Sequence, residues 1–173
     1  MGRVRNGSAA RFSAVVVLVI LALLGAREWM LEPLTVTSES MEPTVSAGGT
    51  VLVLKAGPLS NLVGEGSLVV FNSPAEGGLA LKRIVAVGGQ RVDIRDSVLY
   101  VDSVPRDEPW VDHESIDGTY FGPVTVPDGE IFVLGDNRSG SIDSRSYGSI
   151  PAADLVGAVL WPTGVMVRPE REQ

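Results

Sequence analysis

Two residues in this 173-residue chain have the type and setting for covalent chemistry on an amide, Ser40 and Lys82. Ser40 opens the run Ser40-Met41-Glu42-Pro43-Thr44, and Lys82 sits beside Arg83 in the otherwise apolar stretch Leu79 to Val87. A serine hydroxyl needs a base before it can attack, and the single histidine, His113, has no acidic partner in any recognisable triad order. Lysine is the available base. Burial can lower a lysine pKa by up to about 3 to 5 units from its usual value near 10.4, which brings a neutral amine within range at physiological pH. Each residue also has a plainer reading. A serine in a proline-containing loop is commonly a turn former, and a lone strand lysine commonly guards a sheet edge against aggregation. The absence of cysteine removes thiol catalysis, zinc–thiolate sites and disulfides together.

A third run, Gly135-Asp136-Asn137-Arg138-Ser139-Gly140-Ser141-Ile142-Asp143-Ser144-Arg145, is harder to explain by composition. Asp136 and Asn137 suit a tight turn after the apolar Glu130 to Leu134, their short side chains bonding the local backbone.

Short β-type runs must position these three blocks. Val51 to Leu54, Leu68 to Phe71, Leu81 to Val87, Val98 to Val101 and Glu130 to Leu134 are separated by Gly, Pro, Asn and Asp, which predicts a mostly β, mainly antiparallel domain. Asp96-Ser97 and Asp102-Ser103 predict turns around a small hairpin between the second and third blocks. Along the strand, Lys82 and Arg83 face opposite sides, so one is expected to point inward while the other reaches solvent or a carboxylate.

Ahead of the β region, Phe12 to Ala26 is a run of 15 uncharged residues, and apolar character continues past Arg27-Glu28 to Leu31. A helix from Phe12 to Leu31 would be roughly 30 Å long, about one hydrocarbon core. Arg3, Arg5 and Arg11 precede it, so the positive-inside rule keeps the N-terminus cytoplasmic and sends the rest outside. A cleaved secretory signal ending near Gly25-Ala26 is the alternative. The chain carries a formal charge of −7, and without those three arginines the remainder stands at −10. So acidic a domain is a poor partner for nucleic acid, whose binding rests on Lys and Arg neutralising phosphates.

The three blocks, in this order behind one apolar segment, resemble the bacterial type I signal peptidases, membrane-anchored proteases that remove leader peptides from exported proteins. The resemblance runs from the apolar segment to Trp161. It implies a single transmembrane helix (residues 1–31 with the tail), a compact β catalytic domain (32–167) holding a small β insertion at about 93–126, and a polar tail at 168–173. It also implies Ser40 as nucleophile, Lys82 as general base, Ser38 as a hydroxyl that helps bind the oxyanion, and Ser141 as the group that hydrogen-bonds and orients Lys82. Asp143, Arg145 and Arg83 enter as structural support, the first two as an ion pair. The implied partners are signal-peptide-bearing preproteins and cytoplasmic membrane lipid, with no cofactor or metal required. Three positions depart from the family's pattern. Glu39 stands where glycine is usual between the two serines, Gly66-Ser67 replaces Gly-Asp, and Ala86-Val87-Gly88-Gly89-Gln90 replaces a Gly-x-Pro-Gly-Asp ending. Two rival readings are a self-cleaving repressor-type Ser/Lys protease, which should carry a DNA-binding domain upstream, and a non-catalytic tethered β binding module, which predicts a solvent-exposed Lys82 beyond reach of Ser40.

Overall fold

The structure is a computed structural model that describes residues 11–18, 25, 30–55, 63–113, 116 and 118–161, the side chain of Trp161 excepted. The β-rich pattern folds into two antiparallel sheets. In the larger sheet the spatial order is β1 (Leu31–Thr35), β2 (Thr50–Leu54), β11 (Leu155–Trp161), β3 (Leu68–Asn72), β4 (Leu79–Val87), β9 (Glu130–Leu134) and β10 (Ile150–Pro151). The smaller sheet has the order β7 (Val104–Pro105), β6 (Val98–Val101), β5 (Arg91–Arg95) and β8 (Phe121–Thr125). It overlaps the interval expected to hold the insertion. The hairpins β5–β6 and β6–β7 turn on Asp96-Ser97 and Asp102-Ser103, all four residues at positive φ between 49° and 67°. Such a pair of left-handed residues gives a two-residue turn whose twist matches that of the flanking strands.

β4 is an interior strand, hydrogen-bonded to β3 and β9, with Lys82 opposite Val69 and Arg83 opposite both Leu68 and Leu134. Apolar side chains cover both of its faces. Ala80 and Ile84 pack with Val69, Phe71, Ile131 and Val133, while Leu81 packs with Met41, Val51, Val53 and Val70. A third cluster, built from Val85, Val92, Leu99, Phe132 and Leu134, joins the two sheets. A strand covered on both faces reads as a nearly unbroken apolar run, which is how Leu79 to Val87 reads apart from its two cations.

Neither cation of β4 reaches solvent, because the strand is central and no face is wet; Lys82 and Arg83 are 2% and 3% exposed. The edge-guard reading of Lys82 falls for the same reason. Of the two alternatives expected for the second cation, solvent or a carboxylate, Arg83 takes the carboxylate, that of Asp136.

The predicted anchor is corrected at its far end. Leu31 pairs with Leu54 as the first residue of β1, and an extended ladder excludes it from a helix. Residues 11–18 are helical, but no helix among the described residues is long and apolar enough to cross a membrane. Half of the predicted span, residues 19–24 and 26–29, lies outside the described residues, as do the polar tail and residues 1–10 with Arg3 and Arg5.

Candidate active site

The loop after β1 carries Ser40 into the sheet. It is pinned by backbone hydrogen bonds from Glu42 N to Glu39 O (3.1 Å) and from Val45 N to Met41 O (2.9 Å), while the fully buried Met41 side chain anchors it in the core. Met41 is thus a core residue. Lys82 projects from β4 to meet this loop. Its Nζ donates to Ser40 Oγ at 2.7 Å, and Ser38 Oγ lies 3.1 Å from the same oxygen. Burial pushes the Lys82 pKa below the ordinary lysine value, against the opposing pull of the Asp143, Glu76 and Asp136 charges. The hydroxyl partner of Lys82 carries no charge to offset desolvation, so the neutral amine gains.

The third block closes over this pair. Its backbone is tied to the serine loop by Asn137 N donating to Ser40 O (3.1 Å) and Asn137 Nδ2 to Glu39 O (3.2 Å). Asp143, fully buried, holds both ends of the block. It accepts from Gly135 N at 3.0 Å and forms a two-pronged pair with Arg145 Nε and Nη2, each at 2.8 Å. It also caps the short helix Ser144–Tyr147 by accepting from Arg145 N. Arg145 continues to Arg138 O at 2.7 Å, so one carboxylate and one guanidinium fix the path from 135 to 145.

Two expectations for this block change. Ser141 Oγ is buried and has no hydrogen-bond partner among the described residues, so the expected bond to Lys82 is not made. The side chain packs instead over Gly135, where a Cβ would lie 2.3 Å from Ser141 Oγ and 2.6 Å from Ser40 O. Asp136, expected to bond its local backbone, reaches across to Arg83, whose Nε and Nη2 donate to its two oxygens at 2.8 and 2.6 Å. Thr44 donates to the same carboxylate, Arg83 Nη1 donates to Gly66 O at 2.9 Å, and the guanidinium lies 4.1 Å from the centre of the Trp110 ring. Asn137 does bond locally, to Gly140 N at 3.1 Å. Gly135 to Arg145 also holds a second buried ion pair, Arg138 with Glu108, that nothing in the sequence spacing signalled. Glu39 is exposed and is not among the residues at positive φ, so the non-glycine residue at this position is unstrained.

A cleft of about 390 Å³ runs up to the pair. It is bounded on one side by Leu34 to Ser38 and on the other by Glu76 and Leu79 to Lys82. No group of three or more His, Cys, Asp or Glu that could hold a metal occurs among the described residues.

A buried serine–lysine pair at the end of an open cleft is chemically suited to acyl transfer. The family profile described as signal peptidase, peptidase S26, matches residues 9–163. The chain belongs to this family. Similar S26 proteins include a probable signal peptidase I-1 of Synechocystis, 33% identical across 85% of this chain and 78% of its own length. Signal peptidase IB of Staphylococcus aureus is 32% identical over 87% of both chains, and signal peptidase I of Bacillus licheniformis is 32% identical over 77% and 75%. The crystal structure of a signal peptidase I from Enterococcus faecalis aligns with a TM-score of 0.50 at 29% identity, covering 56% of this chain and 95% of that one. As an S26 member the protein is a serine endopeptidase.

Proposed function

We propose that this protein removes N-terminal signal peptides from exported preproteins, with Ser40 as nucleophile and Lys82 as general base. The observation that carries the reading is the 2.7 Å contact between Lys82 Nζ and Ser40 Oγ inside a site where Lys82 is nearly inaccessible. In the neutral amine the direction of that hydrogen bond reverses, and the Ser40 hydroxyl donates. Ser40 Oγ bonds to the scissile carbonyl carbon as its proton passes to Lys82, and negative charge develops on the carbonyl oxygen. The Ser38 hydroxyl and the Ser40 backbone N–H are the donors suited to that oxygen, and loss of one such donor typically raises a barrier by about 3 kcal/mol. The Lys82 ammonium then protonates the departing amine as the C–N bond breaks. Water, deprotonated by Lys82, hydrolyses the acyl-enzyme and regenerates both residues.

The leader would lie extended in the cleft between Leu34–Ser38 and Leu79–Lys82, adding main-chain hydrogen bonds in the manner of a strand, with small residues before the cut. The same reading places the chain in the cytoplasmic membrane with its β domain outside. Its support is the arginine-flanked apolar run, together with a helix at residues 11–18 whose Phe12, Val15 and Leu18 are exposed by more than half. The rival binding module predicts an exposed lysine, and the repressor-type protease belongs to a chain with a DNA-binding domain where this one has the apolar run.

The test is incubation of the full-length protein, in detergent or liposomes, with a preprotein whose leader ends Ala-x-Ala. N-terminal sequencing of the product should give a single cut after the second alanine, absent with Ser40→Ala. A folded wild-type protein that leaves the preprotein intact would overturn the reading. Protease added outside spheroplasts should digest the β domain and spare the N-terminus.

A further inference from the structure

Glu76 is the one carboxylate lining the cleft, and it belongs to none of the three sequence blocks that built the site. It sits in the turn between β3 and β4, held there by local hydrogen bonds. Ser73 Oγ accepts from Ala75 N (3.3 Å) and Glu76 N (3.1 Å), and Ser73 N donates to Gly78 O at 2.7 Å. The side chain is exposed and forms no ion pair among the described residues. It lines the same cleft as Lys82, and its charge acts on Lys82 and on the half-buried Tyr147. The remaining cleft residues, Leu34 to Ser38 and Leu79 to Leu81, are uncharged, so Glu76 and Lys82 are the two charged side chains among the described residues that line the cleft.

An extended peptide rises about 3.3 Å per residue, and the three residues of β4 from Lys82 back to Leu79 span about 10 Å. A substrate whose scissile carbonyl sits at Ser40 and whose preceding residues follow β4 therefore presents its fourth or fifth residue before the cut to the Glu76 turn. We propose that Glu76 is a specificity-determining residue: its carboxylate favours substrates with a basic side chain at the fourth or fifth position before the cut and disfavours acidic ones there. The inference rests on the peptidase reading above. Because the carboxylate is solvated, the preference is modest, about fivefold between Lys and Glu at the matching position, and it shrinks with added salt.

The experiment compares kcat/KM for soluble peptides with a common Ala-x-Ala cut site and Lys, Gln or Glu placed in turn at the fourth and fifth positions before the cut. Wild type should prefer Lys over Glu at one of these positions by about fivefold at low salt. Glu76→Gln should bring that ratio close to one with the Gln peptide cleaved at a near-wild-type rate, and Glu76→Lys should invert it. Equal ratios in wild type and both variants, with the Gln peptide still cleaved, would overturn the inference and leave the peptidase reading standing. Failure of the wild type to cleave even the Gln peptide would overturn that reading and the inference with it. Loss of cleavage of all peptides in a folded Glu76→Gln would also overturn it, since the residue would then serve the chemistry and not the choice of substrate.

Discussion

Lys82 and Arg83 are adjacent on one strand and equally buried, yet they meet opposite environments. Arg83 is matched by a buried carboxylate held in two-pronged geometry, with Thr44, Gly66 O and the face of Trp110 completing its surroundings. Lys82 is given one serine hydroxyl at hydrogen-bond distance; of the carboxylates whose charges act on it, Asp143 and Asp136 are paired with Arg145 and Arg83, and Glu76 is exposed to solvent. A buried cation with an ion-pair partner stays charged; one without is pushed toward its neutral form. The two faces of β4 thus use the same burial for different ends. One face makes a rigid strut between the serine loop and the third block, and the other holds a lysine fitted to act as a base.

Substitutions on the two faces should separate these ends. The largest effect belongs to the base. Lys82→Ala is expected to abolish turnover, and Lys82→Arg should do the same, since a guanidinium stays protonated at every working pH. Both are checked by single-turnover cleavage, with circular dichroism showing an intact β fold. Full activity in folded Lys82→Ala would dissolve the contrast.

On the strut face the cost should appear in stability. Asp136→Asn leaves the Arg83 guanidinium buried without its counter-charge and should lower the unfolding free energy by about 3 to 5 kcal/mol, read by urea denaturation. A change below about 1 kcal/mol would mean that Trp110, Gly66 and Thr44 suffice for Arg83.

The third expectation is a pH dependence carried by Lys82 alone. Only the neutral amine accepts a proton, so activity should climb as pH rises through the lowered Lys82 pKa. Stability should follow the same direction over a window bounded above by the unfolded value near 10.4. Between the folded and unfolded pKa values the unfolded chain binds the additional proton, so the unfolding free energy rises with pH there and flattens above. Lys82→Met should remove both the activity and this slope. A slope unchanged in Lys82→Met would assign the titration to another group.

The smallest effect is expected at Glu39, the residue that departs most visibly from the family's glycine. Its φ is not positive and its side chain is in water, so Glu39→Gly relieves no strain. It should change kcat by less than about threefold and lower stability by about 0.5 to 1 kcal/mol through a freer unfolded chain. A marked fall in kcat would show that the carboxylate itself takes part.

Ser40, Lys82 and the third block were legible in the sequence because each rests on residue type and order: a serine in a turn, a cation inside an apolar run, a dense polar stretch after a strand. The core strands were legible for a related reason, since β2, β3, β4, β6 and β9 are apolar enough to show in any window of five residues. β1, β5 and β8 were not, because Leu31–Thr35 contains a proline and a glutamate, Arg91–Arg95 is flanked by charges, and Phe121–Thr125 carries Gly122 and Pro123. Their pairing comes from a neighbouring strand and not from their own composition. By itself the sequence determined which groups could do chemistry and left a lysine as the candidate base. Tertiary structure alone decided that β4 lies in the interior of its sheet, which burial turns into a lowered pKa for Lys82 and a demand for a counter-charge at Arg83. It also decided that this counter-charge is Asp136, 53 residues away, and that Ser141 packs over Gly135 without reaching Lys82. Partners so distant in the chain are chosen by packing geometry, which no local pattern of residue types records.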